Sequence, residues 1–349
     1  MLTQAAAPAS VAPAAQVRRE PSRKSVKRPF LTLACWGFLA CVAGAWLLMR
    51  EYGDRNWIAT VLLISPRWPF ALPLVLLWPW ATLRKKWVCV GATAAATWVV
   101  LFPILGLRLN IPGGPMRGDL RILSCNIHRQ QLDAPKMEAV LADVQPDVVA
   151  LQGWSDMHAE SLFGGGGWNV KRVGELFVAS KFPIGEVTPF DVFEDAEVSH
   201  GEQGAAACFE IQSPKGTVNL INLHLASPHA GFNSLLTDGS ERLSGNLERR
   251  WRESDQLREL SDRVQGQLVM TGDFNTTDDS PIFREHWKEN LADAFSERGF
   301  GFGMTYVNNH TQIRIDHTLA RPGLKFTRCC LGPAVGSPHR PLISDLICR

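Results

Sequence analysis

The sequence lacks a basic excess, and its cysteines lack the spacing of metal ligands. Its 36 Lys and Arg residues are almost balanced by 34 Asp and Glu residues, which leaves a net charge of +2 over 349 residues. Nucleic-acid-binding surfaces usually show a clear basic excess, so the composition gives no support for stable nucleic-acid binding. None of the eight cysteines is spaced like a zinc ligand. We therefore expect the cysteines of the soluble part to be small core residues, with disulfides as the alternative.

Charge is also absent from long stretches near the amino terminus. Residues 30–49 form a run of twenty residues without a charge, and as a helix such a run is about 30 Å long, the hydrocarbon thickness of a bilayer. The next apolar stretch, 57–83, contains Arg67, and an arginine at the bilayer centre costs about 2.5–3.5 kcal/mol on insertion scales. We therefore expect residues 57–65 to lie in the interface. The region 30–107 is predicted to form three transmembrane helices, at about 30–49, 68–83 and 87–107.

Two alternatives compete with membrane spans. A cleaved signal peptide would explain the first segment, but its apolar run is longer than a usual signal core and two more apolar segments follow. A buried helical bundle in a soluble protein would need a polar face that recurs at the helical period, and these segments show none. Both alternatives therefore explain less of the pattern than three crossings do.

Basic residues outside the apolar segments predict the orientation. Residues 1–29 consist mainly of Ala, Pro and Ser with a cluster of six Lys and Arg, a composition typical of a disordered tail. By the positive-inside rule, this tail and the turn at residues 84–86 belong on the cytoplasmic side. We therefore predict an integral protein of the cell membrane with a cytoplasmic amino terminus and an extracytoplasmic soluble domain.

The remainder of the chain, 118–349, follows a linker at 108–117 and has the pattern of an α/β domain. Apolar alternation predicts strands, and apolar residues at three-to-four spacing predict helices. The arginines of the longest helix are expected on a solvated face. The predicted strands are 120–128, 148–151, 205–211, 217–225, 268–270, 313–320 and 342–347, and the predicted helices are 134–144 and 241–264. Interleaved strands and helices with hairpins favour two packed sheets with helices outside.

Polar residues gather where the predicted strands end. Loops at strand ends over a rigid sheet are where a site can be assembled. Each such residue taken alone is more typical of a satisfied structural group or a turn. The candidates are Asn126, His128, His224, Asp273, Asn275, Asp316, His317 and His339.

Six passages, taken together and in order, resemble the endonuclease/exonuclease/phosphatase family. This family includes apurinic endonucleases, pancreatic-type deoxyribonucleases, neutral sphingomyelinases and inositol-polyphosphate phosphatases. The passages are Leu-Ser-Cys-Asn-Ile-His at 123–128, Pro-Asp-Val-Val-Ala-Leu-Gln at 146–152, Asn-Leu-His-Leu-Ala-Ser-Pro at 222–228, Gly-Asp-Phe-Asn at 272–275, Arg-Ile-Asp-His at 314–317 and His-Arg-Pro at 339–341. The resemblance implies a four-layered α/β/β/α sandwich that hydrolyses phosphate esters.

The resemblance also implies a role for each matching residue. Asp273 is similar to the general base that deprotonates the attacking water, and Asn126 and Asn275 to the neutral groups that hold it and the phosphate. His339 resembles the histidine that contacts a phosphoryl oxygen, and Asp316 the carboxylate that raises the pKa of that histidine. His224 matches the histidine that protonates or stabilises the leaving oxygen.

Two departures from the family pattern concern the metal side of the site. The family implies Mg²⁺ or Mn²⁺, yet its chief metal-binding glutamate is replaced by Gly153 and the aspartate before the histidine by Pro338. Mg²⁺ is usually held by one or two protein carboxylates. Three hypotheses remain: Asp156 or Glu175 replaces the lost ligand, hydrolysis proceeds without a tight metal, or the domain is catalytically silent.

We therefore predict a membrane-anchored phosphoesterase. The alternative is a catalytically silent module that binds phosphate ligands or proteins. Its partners are predicted to be the membrane and a phosphate ester that the sequence does not identify. A membrane location favours lipid headgroups or envelope phosphodiesters over genomic DNA. The protein is expected to be a monomer.

Overall fold

A computed structural model of the chain describes residues 30–111, 117–128, 131–155, 159–190, 204–229 and 241–348. The predicted tail 1–29, part of the linker and Asp156 lie outside the described residues. The described part consists of an amino-terminal group of apolar helices and a two-sheet α/β domain.

The amino-terminal group contains two or three helices that could span a membrane. Its helices are α1 (Phe30–Tyr52), α2 (Trp57–Ile64), α3 (Leu72–Leu83) and α4 (Trp87–Val99), with a 3₁₀ turn at Trp68–Ala71 and a π-helical turn at Val100–Ile104. By length and composition α1 and Trp87–Ile104 are each sufficient for a span. The segments Trp57–Ile64 and Trp68–Leu83 form a pair bent by 77°, which gives a third span if they are counted together.

The bend has a local cause in the sequence Ser65-Pro66-Arg67. A residue that precedes proline is pushed out of the helical region, and Ser65 is extended, with φ −72° and ψ 161°. The Arg67 side chain is buried and donates hydrogen bonds to the carbonyl oxygens of Leu63 and Ile104. The charge that argued against a straight crossing is thus satisfied inside the protein, at the end of α2.

Contacts between helix ends give the direction of each long helix. The ring of Phe30, at the start of α1, lies 5.8 Å from that of Trp80, near the end of α3. The thiol of Cys89, at the start of α4, lies 3.7 Å from the hydroxyl of Thr32. Glu51, at the other end of α1, pairs with Arg284 of the domain. Consequently α1 runs towards the domain, α3 runs away from it and α4 returns.

Two six-stranded mixed sheets form the domain. One has the order β10-β14-β9-β8-β7-β6 and the other β15-β16-β2-β3-β5-β4, while β1-β11 and β12-β13 are two-stranded ribbons. The strands are β1 (Arg108–Leu109), β2 (Leu120–Asn126), β3 (Val148–Gln152), β4 (Asn169–Val173), β5 (Leu176–Ser180), β6 (Ile184–Pro189), β7 (Ala205–Ser213), β8 (Gly216–His224), β9 (Gln267–Asp273), β10 (Ala292–Asp293), β11 (Phe300–Gly301), β12 (Tyr306–Val307), β13 (Gln312–Ile313), β14 (Asp316–Ala320), β15 (Lys325–Leu331) and β16 (Leu342–Ile347).

Helices cover the outer faces of the two sheets. The domain helices are α5 (Ala134–Val144), α6 (Ala159–Phe163), α7 (Glu241–Arg263) and α8 (Ala294–Arg298). The inner faces share one apolar core, in which Ile122 and Val148 of one sheet meet Phe209 and Leu220 of the other. Separate apolar clusters hold α5 on the β2 sheet and α7 on the β9 sheet. The implied α/β/β/α sandwich is therefore the fold.

Most predicted elements of the domain are confirmed, with one correction on α7. The predicted helix 134–144 and strand 342–347 have the observed bounds of α5 and β16, and the predicted hairpin is β7-β8. The expectation of a solvated arginine face on α7 is wrong for Arg250, which is 3% exposed. The cysteine prediction is confirmed, since every cysteine is a free thiol and four of the five in the domain are buried.

Candidate active site

Strand pairing brings the predicted polar residues to one edge of the domain. In the parallel pair β8-β9, His224 lies opposite Asp273, and in the antiparallel pair β9-β14, Asp273 lies opposite Asp316. In the other sheet, Asn126 ends β2. It reaches across to Asp273, because its side-chain Nδ2 donates to Asp273 Oδ2 at 2.9 Å. His339 precedes β16, which runs antiparallel to β2 and begins beside the end of that strand.

The carboxylate of Asp273 is fixed on both oxygens. Its Oδ2 accepts from Asn126, and its Oδ1 accepts the backbone N–H of Asn275 at 2.9 Å. Asn275 is left-handed, with φ +49°, and its Nδ2 donates to the carbonyl oxygen of Leu225. The preceding Gly272 has φ +141°, and a Cβ there would lie 2.0 Å from the Leu223 carbonyl oxygen. Only glycine therefore fits the approach to this turn.

Electrostatics set the proton affinity of Asp273. Burial and the negative charge of Asp316 raise its pKa, against the opposing charges of His339 and His224 and the hydrogen bond from Asn126. A base whose pKa lies closer to neutrality accepts a proton more effectively. Asp273 thus has the environment of a general base.

His339 forms a buried pair with Asp316. Its Nδ1 lies 2.9 and 3.1 Å from the two carboxylate oxygens of Asp316, and its Nε2 lies 3.6 Å from Asp273 Oδ2. Burial opposes the charged imidazolium, but Asp316 and Asp273 outweigh it and raise the pKa of His339 to about 9. His339 is therefore cationic at neutral pH. The Ser337 hydroxyl fixes it further, accepting the His339 backbone N–H and donating to the Asn126 carbonyl oxygen.

His224 pairs with a second carboxylate, that of Glu175. The distance from His224 Nδ1 to Glu175 Oε1 is 2.7 Å, and His224 Nε2 lies 3.4 Å from Asn126 Nδ2 and 3.7 Å from Asp273 Oδ2. Burial lowers the pKa of His224, but the hydrogen bond to Glu175 and the charges of Asp273 and Glu175 outweigh it, so the net shift is upward. Both side chains are about a quarter exposed, at 25%. Of His224 and His339, His224 is therefore the one that solvent can reach.

The structure adds two residues to the site and sets two candidates apart from it. The Tyr306 ring lies 5.0 Å from that of His339 and 6.2 Å from that of His229. Burial lowers the pKa of His229, against the charge of Asp273. The candidate His128 is exposed, and its backbone N–H donates to Asn126 Oδ1. His317 is buried behind the site, with Nε2 2.9 Å from the Thr276 carbonyl oxygen.

Some of these residues carried a signal in the sequence. His229 follows the matching passage at 222–228, so its neighbourhood was marked even though the residue was not. Glu175 occupies the turn between β4 and β5, two strands that periodicity did not reveal. No sequence pattern distinguished Tyr306.

The metal side is built without a carboxylate at the two expected positions. Gly153 is buried with φ +63°, and Pro338 lies between Ser337 and His339. Within the described ranges, one group of side chains could hold a metal ion: Asp273, Asp316 and His339, whose ligand atoms lie within 4.8 Å of one another. Glu175, a candidate substitute ligand, is engaged by His224, and its metal-binding role stays a prediction, as does that of Asp156.

Comparisons with known proteins agree on the domain. The sequence model described as "Endonuclease/Exonuclease/phosphatase family" matches residues 123–345. Among solved structures, a mannosyl-6-phosphatase of Bacteroides thetaiotaomicron VPI-5482 is 16% identical with a TM-score of 0.50, over 65% of this chain and 99% of that one. A 3'-5' exonuclease of Neisseria meningitidis is 17% identical with a TM-score of 0.49, over 65% and 100%. No curated protein matches the sequence. At such identities the structural likeness concerns the fold alone.

Proposed function

This chain belongs to the endonuclease/exonuclease/phosphatase family, and on that premise we propose that it is a membrane-anchored phosphoesterase, a hydrolase of the phosphodiesterase or phosphatase type. One observation carries the proposal. A carboxylate base, Asp273, and a cationic imidazole, His339, lie 3.6 Å apart at the edge where the strand ends meet. Attack of water on a phosphate ester needs both a proton acceptor and positive charge near the phosphoryl oxygens.

The proposed first event is proton transfer from water to Asp273. The water oxygen attacks phosphorus while its proton passes to the carboxylate, which Asn126 and the backbone N–H of Asn275 hold in place. Both contacts hold Asp273 without adding charge, and burial together with the charge of Asp316 keeps its pKa raised against the hydrogen bond from Asn126.

Cleavage of the ester bond completes the reaction. The imidazolium of His339 stabilises the negative charge on the phosphoryl oxygens, and Asp316 keeps it protonated. His224 gives its proton to the leaving oxygen as the phosphorus–oxygen bond breaks, and Glu175 orients the ring through Nδ1. The water proton taken by Asp273 and the proton lost by His224 balance the hydrolysis.

Mg²⁺ or Mn²⁺, the ions that the family implies, would be held by Asp273, Asp316 and the neutral form of His339, because an imidazolium has no free nitrogen, and would supply positive charge to the phosphoryl oxygens in place of that imidazolium. The donor set of two carboxylates and one imidazole suits such an ion. The hydrogen bond between His339 Nδ1 and Asp316 leaves Nε2 as the nitrogen that would face it.

We propose that three crossings anchor the domain, with the amino terminus in the cytoplasm and the domain outside it. The alternating directions of α1, α3 and α4 support an odd number of crossings. This location favours lipid headgroups or envelope phosphodiesters as substrates, handled by a monomer. A reporter enzyme fused after Arg349 tests the topology: activity only in the cytoplasm contradicts it.

The second candidate function is a catalytically silent module that binds a phosphate ligand or a protein. The replacement of both family carboxylates, by Gly153 and Pro338, is the observation that favours it. Such a module would use the same cleft, with His339 as the cation that recognises the ligand.

Hydrolysis of bis-p-nitrophenyl phosphate by the full chain in detergent separates the two functions. We expect turnover with Mg²⁺ or Mn²⁺ that is lost in Asp273→Ala and kept in the control His310→Ala, since His310 is an exposed histidine. The absence of turnover in the native chain, together with its appearance in Gly153→Glu with Pro338→Asp, would establish the silent module instead.

A further inference from the structure

The turn that follows Asp273 is held by residues of the amino-terminal helical group. From these contacts we infer that Asp54 and Arg67 are positioning residues of the active site, so that the helical group completes the site in addition to anchoring it. The inference builds on the proposed function. Asp54 and Arg67 would thus have a role in the site although they lie in a region that the family pattern does not include.

Asp54 lies in the short connection between α1 and α2 and reaches into the domain. It is fully buried, in a left-handed conformation with φ +57°, and its backbone N–H donates to the Thr60 hydroxyl. Its Oδ1 accepts from Arg250 Nη1 at 2.5 Å, and its carbonyl oxygen accepts from the Trp251 indole at 2.7 Å. The connection between α1 and α2 is thus fixed by the Thr60 hydroxyl and by Arg250 and Trp251 of α7.

Arg250 transmits this contact to the catalytic turn. Its Nη2 donates to the carbonyl oxygen of Asn275 at 2.8 Å, and the N–H of the same residue holds Asp273 Oδ1. A buried guanidinium needs a carboxylate partner, and Asp54 supplies it. Removal of the Asp54 charge therefore leaves the buried guanidinium of Arg250 without a counter-charge. This guanidinium contacts Asn275, whose backbone N–H holds the carboxylate of Asp273.

Arg67, which follows the other end of α2, contacts the same turn. Its guanidinium donates to both carboxylate oxygens of Asp279, at 3.1 Å each, and its Nη2 lies 3.3 Å from the Thr277 hydroxyl. Arg108, which follows the last apolar helix, pairs with Asp278 at 2.7 Å. The five residues after Phe274 are therefore contacted directly by Arg67 and Arg108 and are linked to Asp54 through Arg250.

A second group of ion pairs on the same interface supplies the contrast. Arg55 pairs with Glu285, and the two side chains are 46% and 41% exposed. Glu51, which is 49% exposed, pairs with Arg284, which is 18% exposed. Exposed pairs contribute little because solvent screens them, and neither pair touches the turn after Asp273. Such pairs would be sufficient to dock the helical group on the domain. The buried contacts of Asp54 and Arg67, in contrast, lead to the turn that follows Asp273.

Hydrogen exchange on the full chain in detergent tests the inference without relying on turnover. The variants are Asp54→Asn, which keeps the shape but removes the charge, Asp54→Glu as the conservative change, and Glu285→Gln as the control, which breaks the exposed pair but leaves Arg55 over the Trp251 ring. We expect amides in peptides covering 272–280 to exchange about tenfold or more faster in Asp54→Asn, because their opening costs less. Peptides from β2 and β16 should keep native exchange, and Glu285→Gln should behave as the native chain.

Kinetics in the same samples add the functional readout. We expect kcat to fall about 10- to 100-fold in Asp54→Asn with KM within about twofold, since displacement of a catalytic group by about 1 Å has effects of that order. Asp54→Glu should recover most of the loss. Unchanged exchange at 272–280 in folded Asp54→Asn overturns the inference, and so does an equal loss in Glu285→Gln.

The outcomes also separate this inference from the proposed function. If no variant, including the native chain, turns over substrate, the phosphoesterase proposal fails while exchange still decides whether Asp54 holds the turn. If Asp54→Asn does not fold, Arg67→Lys asks the same question, because it keeps the charge but loses the two-oxygen contact with Asp279. Native exchange at 272–280 in that variant would count against the inference.

Discussion

One side of the candidate site is dense with ionisable groups, and the other side is nearly without them. Asp273, Asp316 and His339 are each at most 3% exposed and contact one another directly. The two positions expected to carry metal-binding carboxylates hold Gly153 and Pro338 instead. We call these the acid–base half and the metal half.

The comparison shows how the acid–base half can persist without the other. Asp273, Asp316 and Glu175 supply three carboxylates, protonated His339 offsets one negative charge, and the raised pKa of His224 favours a second positive charge beside them. Two further carboxylates would leave a large uncompensated negative charge in a buried place, which only a bound cation could offset. Without those two carboxylates the site carries less unbalanced negative charge, because each histidine is already paired with a carboxylate within it.

The largest expected effect comes from the base of the acid–base half. Asp273→Asn keeps the size and the contact with the Asn275 N–H but removes the proton acceptor. General-base catalysis is worth about 10²- to 10⁴-fold, so kcat for bis-p-nitrophenyl phosphate should fall by about that factor. His310→Gln is the control. Retention of native kcat in Asp273→Asn would mean that another group is the base. The acid–base half would then have no catalytic role that distinguishes it from the metal half.

The next effect concerns the charge of His339 and its pH dependence. The pKa of His339 is raised from 6.5 to about 9, so its protonated form is stabilised by folding. That stabilisation is complete below the unfolded value, near pH 6.5, and is lost as pH rises through about 9, a change of about 3 kcal/mol in the free energy of unfolding. Turnover should decline over the same alkaline range.

Asp316→Asn provides the mutational arm of this pH experiment. Without the Asp316 carboxylate, burial still lowers the pKa of His339 and only Asp273 opposes it. The alkaline limb of the kcat profile should therefore move towards neutral pH. At pH 7 we expect kcat to fall about 10- to 100-fold. An alkaline limb that stays in place in Asp316→Asn would show that another group titrates there.

A smaller effect is expected when the metal half is rebuilt. Gly153→Glu with Pro338→Asp adds two carboxylates beside the cluster, and affinity for hard cations rises with the number of charged ligands. We expect Mn²⁺ to bind about tenfold more tightly, measured by the loss of the free-ion signal in electron paramagnetic resonance. Gly153→Gln with Pro338→Asn has similar size without charge and should bind as the native chain does. Equal affinity in both double variants would locate the ion outside this half.

The two halves also differ in what the sequence could predict. Asn126, His224, Asp273 and Asp316 end or begin strands, so periodicity and the family passages together placed them at one edge. Sheet pairing then brought them into contact as expected, because strand ends in register meet at a common edge.

Residues whose role depends on distant partners were beyond reach of such patterns. Arg250 has the same helical surroundings in the sequence as its exposed neighbours, and only the arrival of Asp54 from another part of the chain turns it into a buried group. Glu175 likewise acquires its role from His224, which lies in the opposite sheet. Side-chain partners of this kind are fixed by tertiary packing, which local periodicity does not encode.

The smallest effect separates the backbone of the metal half from its charge. Gly153 is left-handed, with φ +63°, and a residue with a Cβ is disfavoured there by about 1–2 kcal/mol. Gly153→Gln should therefore lower the free energy of unfolding by about that amount, measured by denaturant unfolding of the full chain in detergent, with kcat close to native. Gly153→Asn should cost less, because asparagine tolerates this conformation better. Equal stability of the native chain and Gly153→Gln would mean that the backbone relaxes readily. The metal half would then differ from the acid–base half only in charge, whereas the predicted loss means that its backbone, too, has come to require glycine.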